Sequence, residues 1–391
     1  MELKGKKIID KYLGFFLIIV LTPLSLLLGL ILRRNHDIKV INKSITIIKI
    51  LGGGSLFTSL PMLLQLKKKY ERAQIVLVTS DSTLAFAQMM GIFDKIIIIK
   101  SNNLFELIIS SIKAVYQSLF TDVTIDLEVH SKLSSIFSLM TCAKNRIGFY
   151  SKRNKWKYGI LTHKIPYSDE ELLKSFYKMA FEIAGVKEIE QSTYLNHLIN
   201  HNNLIPYKKN NVIRKLSIGP YCSDLCSERE FSDNEWILNL KKLNLKYLEE
   251  IVIVGSINDK MKSIGLVNKI KDWKYNLRIK NKVGVLSLKD SVQEILQTDI
   301  FLTIDSGLNH ILRELNMKIL SYWGPSDPAT RLDLKKKSNE IVIYKKIACS
   351  PCVHYTDYAP CFGDNICMKQ HNFKISSSQA EYYNKFINRG E

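Results

Sequence analysis

The sequence has no Gly-Lys-Ser/Thr after its glycine-rich stretch, so it carries no P-loop. That stretch, Leu51-Gly-Gly-Gly-Ser55, also lacks the third glycine of a dinucleotide fingerprint, which argues against a nicotinamide enzyme. No Asp-x-Asp string offers paired carboxylates to a divalent metal, and no zinc-finger spacing or RNP-like string is present. Cysteines are few for 391 residues: seven, three of them scattered at 142, 222 and 226. This excludes a secreted disulfide framework and points to a reduced, cytoplasmic chain. Acidic residues are scarce, 37 against 56 Lys and Arg, for a net charge of +19. The lysines are spread along the chain and form no block interleaved with aromatics, so no nucleic-acid surface is indicated. A chain this basic is nonetheless drawn to anionic lipid.

What is present describes a globular protein: 46% hydrophobic and 24% charged residues, with length for two full domains. Residues 12–32 carry no charge and are long enough to cross a bilayer core, which takes about 20 residues. Lys4, Lys6, Lys7 and Lys11 precede the run, and Arg33 and Arg34 follow it. With no small-x-small site behind so long a run, a cleavable signal is not expected. Basic flanks on both sides and Thr22-Pro23 near the middle leave two membrane arrangements open, a re-entrant dip with both ends cytoplasmic and a true span; a buried helix is the bland reading.

After this segment, apolar β-rich runs alternate with helical spacing. Strands are expected at 44–50, 74–79, 95–100, 123–129 and 146–150, and helices at 56–70, 82–90, 104–120, 131–142 and 169–184. Continuous Val/Ile runs between helices indicate a parallel sheet covered on both faces. The glycine loop with Gly53, Gly54 and Ser55 reads as an acceptor-side or purely structural loop. Asp126 and Glu128 close the fourth strand, with His130 and Lys132 just beyond, a polar cluster that is either a site or helix capping. The basic aromatic stretch 152–164 reads as a loop facing lipid, a charged acceptor or solvent. Residues 189–209 are polar and irregular, marking a boundary.

A second α/β series follows, with strands at 215–219, 250–254, 283–286, 300–304, 319–323 and 340–345, and a last helix at 376–388. Within it, Asp305-Ser-Gly-Leu-Asn-His310 follows one strand and Gly324-Pro-Ser-Asp-Pro328 the next. Ser306 and Gly307 stand where a helix N-terminus would offer N–H groups to a phosphate, with His310 one turn on; an N-cap beside a glycine turn is the plain alternative. Cys349, Cys352, Cys361 and Cys367 crowd together, either as ligands of a structural zinc or as buried thiols.

The stretch from Leu286 to His310, followed by Trp323-Gly-Pro-Ser-Asp-Pro328, resembles the family 9 glycosyltransferases, the heptosyltransferases of lipopolysaccharide cores. Arg146-Ile-Gly-Phe149, Asp126 with Lys132, the glycine loop ending at Pro61 and Cys349-x-Pro-Cys352 add support. The resemblance implies a GT-B fold: an acceptor-side Rossmann-like domain at 35–205, a nucleotide-sugar domain at 206–375 and a cleft between them, flanked by the membrane segment 1–34 and a C-terminal helix 376–391. It implies donor binding by Asp305, Ser306, Gly307, His310 and Arg229. The donor would be ADP-heptose or similar, the acceptor lipid-linked or lipopolysaccharide core at the cytoplasmic face of the inner membrane, and no metal would be required for transfer. One position departs from the family. Ser55 stands where members carry the Asp expected to act as base, leaving Asp126 or Glu128 as candidates or the chain as a catalytically silent relative that binds nucleotide sugar or scaffolds envelope assembly.

Overall fold

The computed structural model describes residues 3–31, 36–38, 41–210, 212–222, 226–335, 339–353, 355–356 and 359–372. The chain forms two compact units, Met1–His201 and Asn202–Glu391. The divide falls at 201/202, a few residues before the expected 205/206.

The first unit opens with helix α1 (Leu3–Ile31), which runs through Pro23. Its sheet contains β1 (Ser44–Ile48), β2 (Gln74–Ser80), β3 (Lys95–Ile99), β4 (Val123–Asp126), β5 (Asn145–Tyr150) and β6 (His163–Pro166). The strands are all parallel, in the order β3-β2-β1-β4-β5-β6. Between them lie α2 (Gly53–Phe57), α3 (Leu60–Lys69), α4 (Asp81–Met90), α5 (Leu104–Gln117) and α6 (Lys132–Met140), and after them α7 (Leu173–Ile183) and α8 (Gln191–Asn202). The Ile/Val runs are buried because helices cover the sheet: Ile48, Val76, Val78, Ile97 and Ile99 pack with Ala114 of α5 and Phe137 of α6.

The second unit repeats the plan. Strands β7 (Lys215–Gly219), β8 (Glu250–Ile253), β9 (Arg278–Asn281), β10 (Ile300–Ile304), β11 (Ile319–Trp323) and β12 (Glu340–Tyr344) form a parallel sheet in the order β12-β11-β10-β7-β8-β9. Its helices are α9 (Asp233–Lys241), α10 (Lys260–Trp273), α11 (Leu288–Leu296), α12 (Gly307–Glu314), α13 (Pro328–Arg331) and α14 (Ile366–Lys369). Local chemistry sets several starts. Ser232 and Glu235 form a reciprocal capping box on α9, and Ser287 caps α11 by accepting from the Asp290 N–H at 3.1 Å.

Three expectations need correction. Residues 191–202 form α8 rather than an irregular linker, because Tyr194 and Leu198, one turn apart, are both buried and give the polar segment an inner face. The strand expected at 283–286 is instead β9 at Arg278–Asn281; Gly284 has a φ of 71°, which belongs to a turn. The stretch expected as loop at 152–164 instead holds a 3₁₀ segment, Lys152–Gly159, and the start of the short β6. The expected helix at 376–388 lies outside the described residues.

Candidate functional site

Both sheets reverse their winding direction at one place, between β1 and β4 and between β7 and β10. At such switch points the loops leave the strand ends in opposite directions and open a crevice. The sequence motifs fall at these two places.

In the second unit, Thr303 and Gly219 are register partners, and the Thr303 hydroxyl donates to the Gly219 carbonyl at 3.1 Å. The clamp brings the loop after β7, with Arg229, beside Asp305 after β10. Arg229 Nε lies 3.2 Å from Asp305 Oδ2, with side chains only 14% and 8% exposed. Burial works against the charge on each. Arg229, aided by His310, outweighs that and holds Asp305 below the usual carboxylate range, while Asp305 raises Arg229 in return. Ser306 precedes the first turn of α12, and its hydroxyl does not cap the helix, so the N–H groups there remain open to an anion. His310, half-buried, is pushed down to about 4 by burial, against the pull of Asp305, and so is neutral at pH 7. The structure thus brings Arg229, Asp305, Ser306, Gly307 and His310 to one place. It adds Arg331 at the end of α13, whose charge acts on both Asp305 and His310. The signal for Arg331 was its place three residues past Pro328.

In the first unit, Gly52 has a φ of 81° and Gly53 lies so close to α4 that an added Cβ would stand 2.2 Å from the Phe86 ring. The glycines are therefore required by a turn and a close approach. The Ser55 hydroxyl donates to the Gly52 carbonyl at 2.7 Å. Glu128 reaches across from the β4 loop, one oxygen accepting from the Ile50 and Leu51 N–H groups, both at 2.8 Å, the other 3.3 Å from Lys49 Nζ. It holds the glycine loop in place.

Asp126 lies deeper. Its side chain and that of Lys157 are both 0% exposed, 3.6 Å apart. The Ser134 and Ser135 hydroxyls donate to Asp126 Oδ2 at 3.0 Å each, and the Glu128 N–H donates to Oδ1 at 3.0 Å. Burial pushes Asp126 up and Lys157 down, each against the other's attraction. Asp126 therefore presents no surface to an acceptor hydroxyl, and Glu128 is engaged with the loop backbone. Beside them His130, part of the polar cluster expected past β4, gains a partner that the sequence does not indicate: its Nε2 is 3.4 Å from Asp169 Oδ1, with the imidazole 42% exposed. Asp169 is expected from the sequence as the first residue of a helix at 169–184; the helix instead starts at Leu173, and Asp169 stands in the loop after β6.

None of the four clustered cysteines forms a disulfide. Burial raises Cys352 and pushes Cys367 up to about 12, which keeps these two thiols protonated. Among the described residues, no three His, Cys, Asp or Glu side chains come together in a way that could hold a metal ion.

Two Rossmann-like units, each with its site at the switch point, define the α/β architecture of the GT-B class. The profile of glycosyltransferase family 9 (heptosyltransferase) matches residues 112–362, and the chain belongs to that family. The chain is 27% identical over 114 residues to lipooligosaccharide heptosyltransferase 2 of Campylobacter jejuni; the match spans 29% of this chain and 35% of that relative. The fold is shared with E. coli ADP-heptose LPS heptosyltransferase II, at a TM-score of 0.54 and 17% identity, over 84% of this chain and 99% of that one. It is also shared with E. coli heptosyltransferase WaaC, solved with ADP-2-deoxy-2-fluoro heptose, at a TM-score of 0.58 and 12% identity over 78% and 93%.

Proposed function

We propose that the chain is a membrane-associated heptosyltransferase, moving heptose from ADP-heptose or a close analogue to a lipid-linked or lipopolysaccharide-core acceptor at the cytoplasmic face of the inner membrane. The observation that carries this reading is the Arg229–Asp305 pair at the second switch point, beside the open first turn of α12. In the transfer an acceptor oxygen bonds to the anomeric carbon, the bond from that carbon to the diphosphate oxygen breaks, and negative charge grows on the departing diphosphate. Arg229, Arg331 and the α12 N–H groups supply fixed positive potential for that charge, with no metal required.

The acceptor hydroxyl must lose a proton. Ser55 cannot take it unaided, and Asp126 is enclosed. We assign the role to His130, because its imidazole is 42% exposed beyond the end of β4 and is paired with a carboxylate, as a general base requires. Asp169 beside Nε2 would orient the imidazole and stabilise the positive charge that it gains on accepting the proton. His130→Gln should lower kcat on the order of 100-fold with nucleotide affinity unchanged. If His130→Gln transfers normally while a folded Glu128→Gln or Asp126→Asn protein does not, the assignment of the base is wrong.

Ser55 favours one alternative, a relative that binds nucleotide sugar without turning it over or that scaffolds envelope assembly. Calorimetry with ADP, paired with a transfer assay on ADP-heptose and a lipopolysaccharide-core acceptor, separates the two. ADP binding without transfer would favour the silent relative, and absence of ADP binding would refute the donor site itself.

A further inference from the structure

Helix α1 has the length of a membrane span: Ile8–Ile31 covers 24 residues, uncharged from Tyr12 on and mostly exposed. Yet one stripe of it, at four-residue intervals, is fastened to the first unit. Asp10 caps α6 from outside, accepting from the Ser131 hydroxyl at 2.8 Å and from the Lys132 and Leu133 N–H groups at 2.9 Å each. At Gly14 the two helices approach so closely that an added Cβ would stand 2.7 Å from Lys132 Cβ. Ile18 packs with Ile136, Leu139 and Ile160, and a Cβ on Gly159 would stand 2.7 Å from the Thr22 methyl. Residues 10–22 are therefore held along the folded unit for about 18 Å. Beyond them, the nine residues 23–31 of the helix extend about 14 Å, half of the ~30 Å hydrocarbon core.

The opposite surface of α1 is apolar and exposed, including Phe15, Phe16, Ile19, Leu26 and Leu27. Helix α5 also packs on α6. It too turns an apolar ridge outward: Phe105 is 73% and Tyr116 76% exposed, with Leu104, Ile108, Ile109 and Ile112 along the same surface. Lysines and aromatic rings accompany α1. Lys132 Nζ lies 5.6 Å from the Trp156 ring, Lys164 Nζ 3.7 Å from the Tyr158 ring and Lys11 Nζ 5.8 Å from the Tyr12 ring. Exposed Lys152 and Lys155 adjoin them. Amphipathic rings and cations beside an apolar surface suit the interface of an anionic leaflet.

We propose that α1 does not cross the membrane: latched by Asp10, it lies in one leaflet together with the outer ridge of α5, so the first unit docks on an anionic bilayer through two helices. This rests on the membrane-associated reading above and goes beyond it in fixing the topology and adding α5. The occupant is a bilayer rather than a second copy because α1 has the length and apolarity of a membrane segment and its flanking surface is basic.

The test uses the full chain in phosphatidylglycerol-containing vesicles with bromine-labelled acyl chains, carrying Phe16→Trp, Leu26→Trp or Phe105→Trp. Relative to the parent chain, whose Trp156 itself lies against α1, all three added probes should show further quenching from one leaflet, none deeper than its midplane. Quenching of Leu26→Trp at the bilayer centre or in the far leaflet, with Phe105→Trp unquenched, would overturn the proposal in favour of a span. Concentration-dependent dimerisation that hides Phe105→Trp from the lipid would overturn it in favour of a second copy. A Phe105→Ser/Ile109→Ser/Ile112→Ser variant should bind these vesicles at least tenfold more weakly, and unchanged binding would also overturn the role of α5. ADP calorimetry on the same variant should match the parent chain. A parent chain that binds no ADP but shows one-leaflet quenching would refute the donor reading and leave the docking intact.

Discussion

Replacing Arg229 by Ala removes the cation from beside Asp305, which is 6% exposed and 3.2 Å from it. The carboxylate then has to be buried without its main partner, a situation that costs about 3–5 kcal/mol. Much of that cost should appear in thermal unfolding. A second substitution separates stability from binding: in Arg229→Ala/Asp305→Asn no buried charge is left alone, so most of the stability should return. Nucleotide affinity should not return with it. A charge-assisted contact to a phosphate is worth about 1.5–3 kcal/mol, or about 10- to 150-fold in Kd for ADP. Calorimetry and thermal unfolding on the parent, both single variants and the double variant form the complete cycle. If Arg229→Ala binds ADP as the parent does, or if the double variant recovers affinity along with stability, Arg229 serves only to neutralise Asp305 and the proposed diphosphate seat is wrong.

The remaining predictions concern the first unit and the response to pH. Gly53→Ala should lose about 1–3 kcal/mol from overpacking against Phe86, and Phe86→Leu in that background should restore part of it; an equal loss with Phe86→Leu would refute the steric account. Glu128→Gln should destabilise the chain by about 1.5–3 kcal/mol and raise the acceptor KM without changing ADP affinity, because the charged anchor of the 49–51 backbone is lost. In Lys49→Met/Glu128→Gln the stranded cation is gone, and stability should recover in a melting experiment. His371 is buried against the Trp323 carbonyl at 2.8 Å and, mainly by burial, is pushed down to about 4. Its unfolded value of about 6.5 is higher, so its contribution is complete above that pH and lost as pH falls toward 4, by at most about 3 kcal/mol. His310 titrates in the same direction. His371→Gln should flatten, without abolishing, the decline in melting temperature from pH 7 to 4.5; an unchanged slope would refute this assignment.

The switch point of the second unit was legible in the sequence because its signal is local. Asp305, Ser306, Gly307 and His310 stand within six residues after a continuous apolar strand, and strand-loop-helix order alone carries them to a sheet edge. Arg229 sits 76 residues from Asp305, and resemblance joined the two before any geometry did. The switch point of the first unit was less legible. A carboxylate at a strand end reads alike whether it faces solvent, as a base must, or is enclosed by Ser134, Ser135 and Lys157, as Asp126 is. His130 and Asp169 are 39 residues apart and are joined only because β4, β5 and β6 run side by side.

The sequence by itself determined the two α/β series, the family and the apolar character of residues 12–32. Those properties follow from periodicity and from motifs read along the chain, which need no partner in space. Tertiary structure decided whether a polar residue is a tool or a support, because burial and pairing arise from distant segments. It also decided what α1 can do. Composition made it long enough to cross a bilayer; the Asp10 cap on α6, 121 residues from Ser131 in sequence, holds half of that helix to the protein.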